Sequence, residues 1–342
     1  MNTKNRLLEI DVLRGVAAIS VVLFHYTTRY NQKYSHSDDV LMYFPQGHHG
    51  VELFFIISGF VIFMSLEKIQ TGFEFIVGRF SRLYPAYWTC VILTYAIVNI
   101  AGLPNYRVSW DIAIINLSMF QLFFNISNVD GVYWTLGIEL CFYFIMFIFY
   151  KSRLLKHIYE IAIIWLVLMA LNIVLEKQGI ISIETRVGIL FFLRYSSLIF
   201  ANLFLIGMMF YKKYREGFSL KQYSIITGCI LIYKLQHSWK ETILIIVFTA
   251  IFNFVLDNKM KFIVQQPLLF IGTISYSLYL IHQNIGYAII YTFYKLGINP
   301  NISICIALII SILLATTITF KIEKPMMRFI KEQYKIRILV QR

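Results

Sequence analysis

Apolar residues in this chain come in long runs divided by short polar joints, and the runs exceed what a soluble core requires. At a rise of about 1.5 Å per residue, roughly twenty apolar residues cross a hydrocarbon layer of about 30 Å. Ten runs are read as transmembrane helices, at residues 11–28, 51–66, 84–101, 132–150, 159–175, 189–211, 221–236, 241–256, 268–294 and 302–320. The stretch 111–124 (DIAIINLSMFQLFF) is too short to cross and is expected to lie in the interface or to re-enter. The fold class that follows is all-α: a polytopic membrane helical bundle of about ten helices, one domain over 1–342, ending in a short basic tail at 321–342.

Composition agrees. Of the 342 residues 58% are hydrophobic and 14% charged, where a soluble domain carries about 25% charge. The first run contains Asp11 and Arg14 and lacks a small-residue cleavage site, so it reads as a retained helix rather than a leader. Cys90, Cys141, Cys229 and Cys305 fall in apolar runs without metal-ligand spacing. Packing thiols are expected, and no metal.

The formal charge of +13 could suggest a nucleic-acid partner. Its distribution argues otherwise. With the N-terminus inside, 21 of the 31 Lys and Arg residues flank the inner ends of the spans and eight flank the outer ends. That is the positive-inside pattern, so both termini are expected in the cytoplasm and the basic tail is expected to rest on anionic lipid.

Ionisable residues inside such runs are costly and mark function. Arg14 and His25 share the first run in an R-x10-H spacing, about three helical turns, which puts them on one face roughly 16 Å apart. Counting rise from the span ends puts His25 and His282 roughly 21–22 Å from the inner edge, and Ser58 and Glu139 roughly 20 Å from it. Four polar residues on four spans therefore converge on one depth. A second layer lies at the cytoplasmic edge, where Arg14 meets Arg79 and Arg82 of GRFSRLYPAY. Spacing of three puts the last two on one helix face, able to fork onto phosphate oxygens. A donor with a phosphorylated head and a thin reactive arm fits both layers, as acyl-coenzyme A does. A neutral histidine suits deprotonation of an incoming hydroxyl near pH 7.

The strings LEIDVLRGVAAISVVLFHY, GVELFFIISGFVIF, GRFSRLYPAYW, VYWTLGIELCFYF and IGTISYSLYLIH resemble the acyltransferase-3 family of bacterial membrane O-acyltransferases, in order and over essentially the whole chain. The resemblance implies transfer of an acyl group, most often acetyl from acetyl-CoA, to a hydroxyl on a surface polysaccharide or its lipid-linked precursor. It implies His25 and Glu139 as catalytic, the latter closing a W-[ST]-L-x-x-E motif, and Arg14, Arg79 and Arg82 as donor-binding. Glu52 stands where the family more usually has aspartate, with the charge kept. No SGNH esterase-like domain follows the tenth span. A bacterial inner membrane is the location the family implies.

Simpler readings stand beside these. Arg79 and Arg82 could be positive-inside residues, and Asp11 could serve only to fix Arg14 at i+3. Glu139 could orient His25 or only pair with Arg194. Ser58, in ISGF, could bind acceptor, line an oxyanion site or simply allow close helix packing. His282 could bind acceptor or bridge helices, and Trp134 could stack on a sugar or anchor the interface. His48 and His49 are expected to be exposed loop residues. A glycan or acyl-group transporter, and a non-catalytic subunit of a polysaccharide synthase, remain the alternatives from other classes.

Overall fold

The computed structural model describes residues 7–36, 40, 42–180 and 198–340, and among these the regular structure is helical, with no strand. In chain order the α-helices are α1 (Leu8–Leu23), α2 (Tyr30–Tyr34), α3 (Gly50–Leu66), α4 (Gly72–Ala101), α5 (Trp110–Asn116), α6 (Trp134–Lys151), α7 (Ile158–Lys177), α8 (Ala201–Glu216), α9 (Leu220–Gln236), α10 (Trp239–Leu256), α11 (Gln266–Lys295), α12 (Pro300–Ile318) and α13 (Lys324–Val340). Six helical stretches among the described residues are long and apolar enough to cross a membrane. The chain is thus a helical membrane bundle. Arg194 and the first part of the expected sixth span lie outside the described residues.

Exposure follows the solvent a bilayer provides. On α7 the side chains of Ile163, Ile164, Val167 and Leu171 are all at least half exposed. Such an apolar face would be an aggregation hazard in water and is the ordinary surface of a helix in lipid. The polar residues turn inward instead, where Asn202, Ser277, His282, Ser311 and Glu323 are buried. Cys90, Cys141 and Cys229 are buried as expected, whereas Cys305 is exposed on the outer face of α12.

Two helix pairs approach through glycine. At the crossing of α1 and α11, a Cβ on Gly15 would stand 2.7 Å from the Gly272 amide nitrogen. Between α3 and α8, a Cβ on Gly59 or on Gly207 would overlap a backbone carbonyl of the facing helix, at Phe204 or Ile56. Backbones without side chains between them give tight contact where lipid supplies no hydrophobic drive.

Local signals set the ends. Thr71 Oγ1 accepts the Glu74 amide at 3.2 Å and Glu74 accepts the Gln70 amide at 2.9 Å, a reciprocal cap that starts α4 well before residue 84, where the apolar run suggested. The polar GRFSR string therefore belongs to the membrane helix itself. Gly102, at φ +66°, ends that helix in the left-handed conformation. The 111–124 stretch forms the short α5 and a 3-10 turn at Gln121–Phe124. Past α12, the segment expected only as a basic flank on lipid is a helix, α13, packed on α4 with Tyr334 Oη 3.2 Å from Thr71 Oγ1.

Two breaks in α geometry are π-helical turns, Phe24–Arg29 after α1 and Thr319–Glu323 after α12. A π turn admits one extra residue and is a common device at functional sites. One of these carries His25 and the other Glu323.

Candidate functional site

α1 and α11 run against each other, which brings His25 and His282 together across 257 residues of chain. His282 is buried. Its Nδ1 lies 2.8 Å from the carbonyl oxygen of Tyr279, and its Nε2 lies 3.0 Å from Nδ1 of His25. A carbonyl only accepts, so His282 Nδ1 carries the hydrogen and Nε2 of the neutral ring is a lone pair. That lone pair accepts from His25 Nδ1–H, a hydrogen the Val21 carbonyl also solicits at 2.9 Å. Both acceptors leave His25 Nε2 unprotonated, the form a general base needs. Tyr26 donates its hydroxyl to the His282 carbonyl at 2.9 Å and tightens the same junction.

Ser58 and Glu139 form the second pair. Ser58 Oγ donates to Glu139 Oε1 in a short bond, and the hydroxyl of Tyr143 donates to the same oxygen at 2.6 Å. Oε2 takes no hydrogen bond among the described residues. The four residues expected at one depth thus resolve into two couples. No hydrogen bond joins Glu139 to His25; the ring in contact with His25 is His282. Ser58 has its only hydrogen committed to Glu139, so it is not a free oxyanion donor as it stands.

A cavity of about 140 Å³ connects the two polar layers. Arg14, Arg79 and Arg82 line it, followed by Ser58, Glu139 and Tyr143, then Thr135, Ser275 and Tyr279. Its wall includes neither His25 nor His282, and Tyr279 is the link, its ring 5.7 Å from that of His282. Trp134 also lies off the cavity and packs on Phe200 with ring centroids 5.7 Å apart, while its neighbour Thr135 lines the wall.

The three arginines are not equivalent. Arg14 lies 3.8 Å from Asp11 at i+3. Arg82 is ion-paired with Glu323, a carboxylate only 1% exposed that also accepts from Ser277 at 2.9 Å. Arg79 lies over the rings of Phe75 and Tyr143 at 5.5 and 5.7 Å, and its buried Nε has no hydrogen-bond partner. A fourth cation joins them from α13. Burial first, and then the positive charges of Arg79 and Arg82, lower the Lys331 ammonium below its usual range. Such crowding of cations at one mouth suits an anionic ligand.

On the opposite side of His25 stands a nest of tyrosines. Tyr287 lies 6.3 Å from His25, and Tyr30 and Tyr106 pack edge-on against Tyr287 at 5.5 and 5.8 Å. His36 stacks on Tyr30, and burial lowers its imidazole below the usual range, so the ring is carried neutral.

Sequence reasoning missed Glu323, Lys331, Tyr143 and Asp130. Buried Asp130 accepts the amides of Asn284 and Val132 at 3.0 and 3.2 Å and pins α11 just beyond His282. A lone acid in the basic string KIEKP was the one available signal for Glu323. His49, expected to be exposed, is 4% exposed and hydrogen-bonded through Nδ1 to Glu52 at 3.0 Å.

Comparison with known proteins places these features in context. The family model described as "Acyltransferase domain" matches residues 7–320. A curated relative, "Nodulation protein 10" of Rhizobium leguminosarum bv. viciae, is 28% identical over 112 residues, which cover 28% of this chain and 30% of that protein. No solved structure matches.

Proposed function

This chain belongs to the acyltransferase-3 family and is a membrane acyltransferase, and we propose that it moves an acyl group, most often acetyl, from cytoplasmic acyl-CoA to a hydroxyl of a cell-surface glycan or its lipid-linked precursor in the bacterial inner membrane. The observation that carries this reading is the His25–His282 couple, whose tautomers leave one imidazole nitrogen free as a base beside a cavity with a cationic mouth.

The donor enters from the arginine layer. Ligand pockets for whole cofactors measure about 300–1,000 Å³. A cavity of about 140 Å³ takes only the thin arm. The phosphates therefore remain at the mouth on Arg14, Arg79, Arg82 and Lys331, where guanidinium forks and an ammonium meet phosphate oxygens. Along the arm, the free Oε2 of Glu139 is placed to accept an amide N–H. In this reading Glu139 positions the donor and does not take protons from His25.

Transfer proceeds at the inner end of the arm. His25 Nε2 takes the proton of the acceptor hydroxyl as its oxygen bonds to the thioester carbonyl carbon. The tetrahedral oxyanion then collapses, the carbon–sulfur bond breaks, and the leaving thiolate takes the proton from the His25 imidazolium. His282 holds His25 in the reactive tautomer and shares the transient positive charge through its Nε2. On the acceptor side, Tyr30, Tyr106 and Tyr287 offer ring faces and edges of the kind that pack on a sugar.

Proton NMR of surface glycan from three strains tests the proposal: a null strain, its complement, and one expressing His25→Ala at matched levels. O-acyl resonances in the wild-type complement alone are expected. Identical spectra from all three would remove the glycan acceptor, and resonances that survive His25→Ala would remove the assigned base.

A further inference from the structure

We propose that His48, His49 and Glu241 bind a zinc ion on the side of the bundle where the 3-10 turn Pro45–His49 meets the start of α10. One ligand atom from each of the three lies within 4.8 Å of the other two. His48 and His49 sit in the turn that enters α3, and Glu241 is the third residue of α10.

Hydrogen bonds prepare each side chain for a metal. His48 Nδ1 donates to the Pro45 carbonyl at 2.6 Å, which leaves its Nε2 as a lone pair. His49 Nδ1 donates to Glu52 at 3.0 Å, which does the same. A carboxylate behind a ligating imidazole is the usual outer shell of a zinc site, because it fixes the tautomer and raises the basicity of the ring. Glu52 is itself held by the Tyr233 hydroxyl at 3.4 Å, and its buried Oε2 has no partner. Glu241 Oε2 accepts the Ser238 amide at 2.8 Å in a capping box, so its other oxygen is the one that turns outward.

Two imidazoles and a carboxylate are the donor set of three-ligand zinc sites, which keep a fourth position for water. The present spread is wider than a bound tetrahedron, and rotation of the outer pair, His48 and Glu241, about the buried His49 closes it. Neither the acyl-transfer chemistry nor the cationic mouth requires this cluster, so the site adds a ligand the proposed reaction does not use. It would tie the turn before α3 to α10. The His48 ring also lies 5.3 Å from Phe24, which is 5.1 Å from His25.

The test uses the full-length protein in detergent, freed of any affinity tag, competing with a chromophoric chelator for Zn²⁺. Wild type is expected to withdraw one zinc per chain. His48→Ala and Glu241→Gln are expected to abolish that withdrawal, and Glu52→Gln to weaken it by about ten- to a hundredfold. The Glu241→Gln carbonyl still accepts the Ser238 amide, which protects the cap. His157→Ala, in the turn before α7, is expected to match wild type. X-ray absorption of the zinc-loaded wild type should show two imidazole nitrogens and a carboxylate oxygen at about 2.0–2.1 Å. No zinc uptake, uptake unchanged in His48→Ala and Glu241→Gln, or a shell without imidazole would each overturn the proposal.

Discussion

His282 Nε2 stands 3.0 Å from His25 Nδ1, and a peptide carbonyl, that of Tyr279, decides which of the two rings carries the proton between them. A carboxylate in the place of His282 would hold a charge in the membrane; an imidazole does the same orienting work while neutral. Replacing His282 by Ala is therefore expected to lower kcat by about a hundredfold with little change in KM for acyl-CoA, since only the tautomer and the transient imidazolium lose support. His282→Gln, whose side-chain carbonyl can still accept from His25, should recover part of the loss. A parallel rise in KM in both variants would show that His282 binds donor instead.

The ion pair between Arg82 and Glu323 gives a stability prediction. Glu323 is 1% exposed, and Arg82→Met leaves its charge buried without a counterion. A loss of about 3–5 kcal/mol is expected from that single change. The double variant Arg82→Met, Glu323→Gln should recover most of it, because the second substitution removes the orphaned charge. Thermal unfolding in a fixed detergent measures both. Additive losses would show that the pair contributes no coupling.

At the mouth of the cavity, Arg79 and Lys331 are expected to bind donor without taking part in bond making. Arg79→Gln and Lys331→Gln should each raise KM for acyl-CoA about tenfold, or roughly 1.4 kcal/mol, at nearly constant kcat. Added salt should narrow the gap between variant and wild type, since screening weakens what remains of the same attraction. A fall in kcat at saturating donor would count against this placement.

Two glycines separate close packing from backbone freedom. A Cβ at Gly207 would run into the Ile56 carbonyl, and the Phe60 amide nitrogen lies 2.7 Å from the same point. Gly207→Ala is expected to cost about 1–3 kcal/mol by forcing α3 and α8 apart. A Cβ at Gly78, inside α4, meets nothing within 4 Å. There, Gly78→Ala should be neutral or stabilise by up to about 1 kcal/mol. Equal effects at the two sites, measured by thermal unfolding, would contradict the packing described.

Much of this arrangement is legible in the sequence. The apolar runs mark the helices, and rise per residue brings His25 near His282 and Ser58 near Glu139. Spacing could not say which polar residue pairs with which, because that depends on helix rotation and crossing. The π turn at Phe24–Arg29 adds a residue that no 3.6-residue count anticipates. Glu323 was hidden for a different reason: a string rich in bases reads as a solvated flank, and only the second π turn brings its one acid onto Arg82. His49 was misread because a polar residue beside an apolar run looks exposed until its partner, Glu52, is seen one turn on.

The π turn that carries His25 also makes the phase of the first helix dependent on chain length. Removing one residue from it, such as Thr28, would return the segment to α geometry and turn everything beyond by about 100° relative to α1. Tyr30 would swing off Tyr287, and the Tyr26 hydroxyl would lose the His282 carbonyl it now reaches at 2.9 Å. Within this short stretch, then, substitutions that keep the residue count are tolerable in principle, whereas a single-codon deletion that makes the helix locally more regular would put the reactive face out of step with its partner.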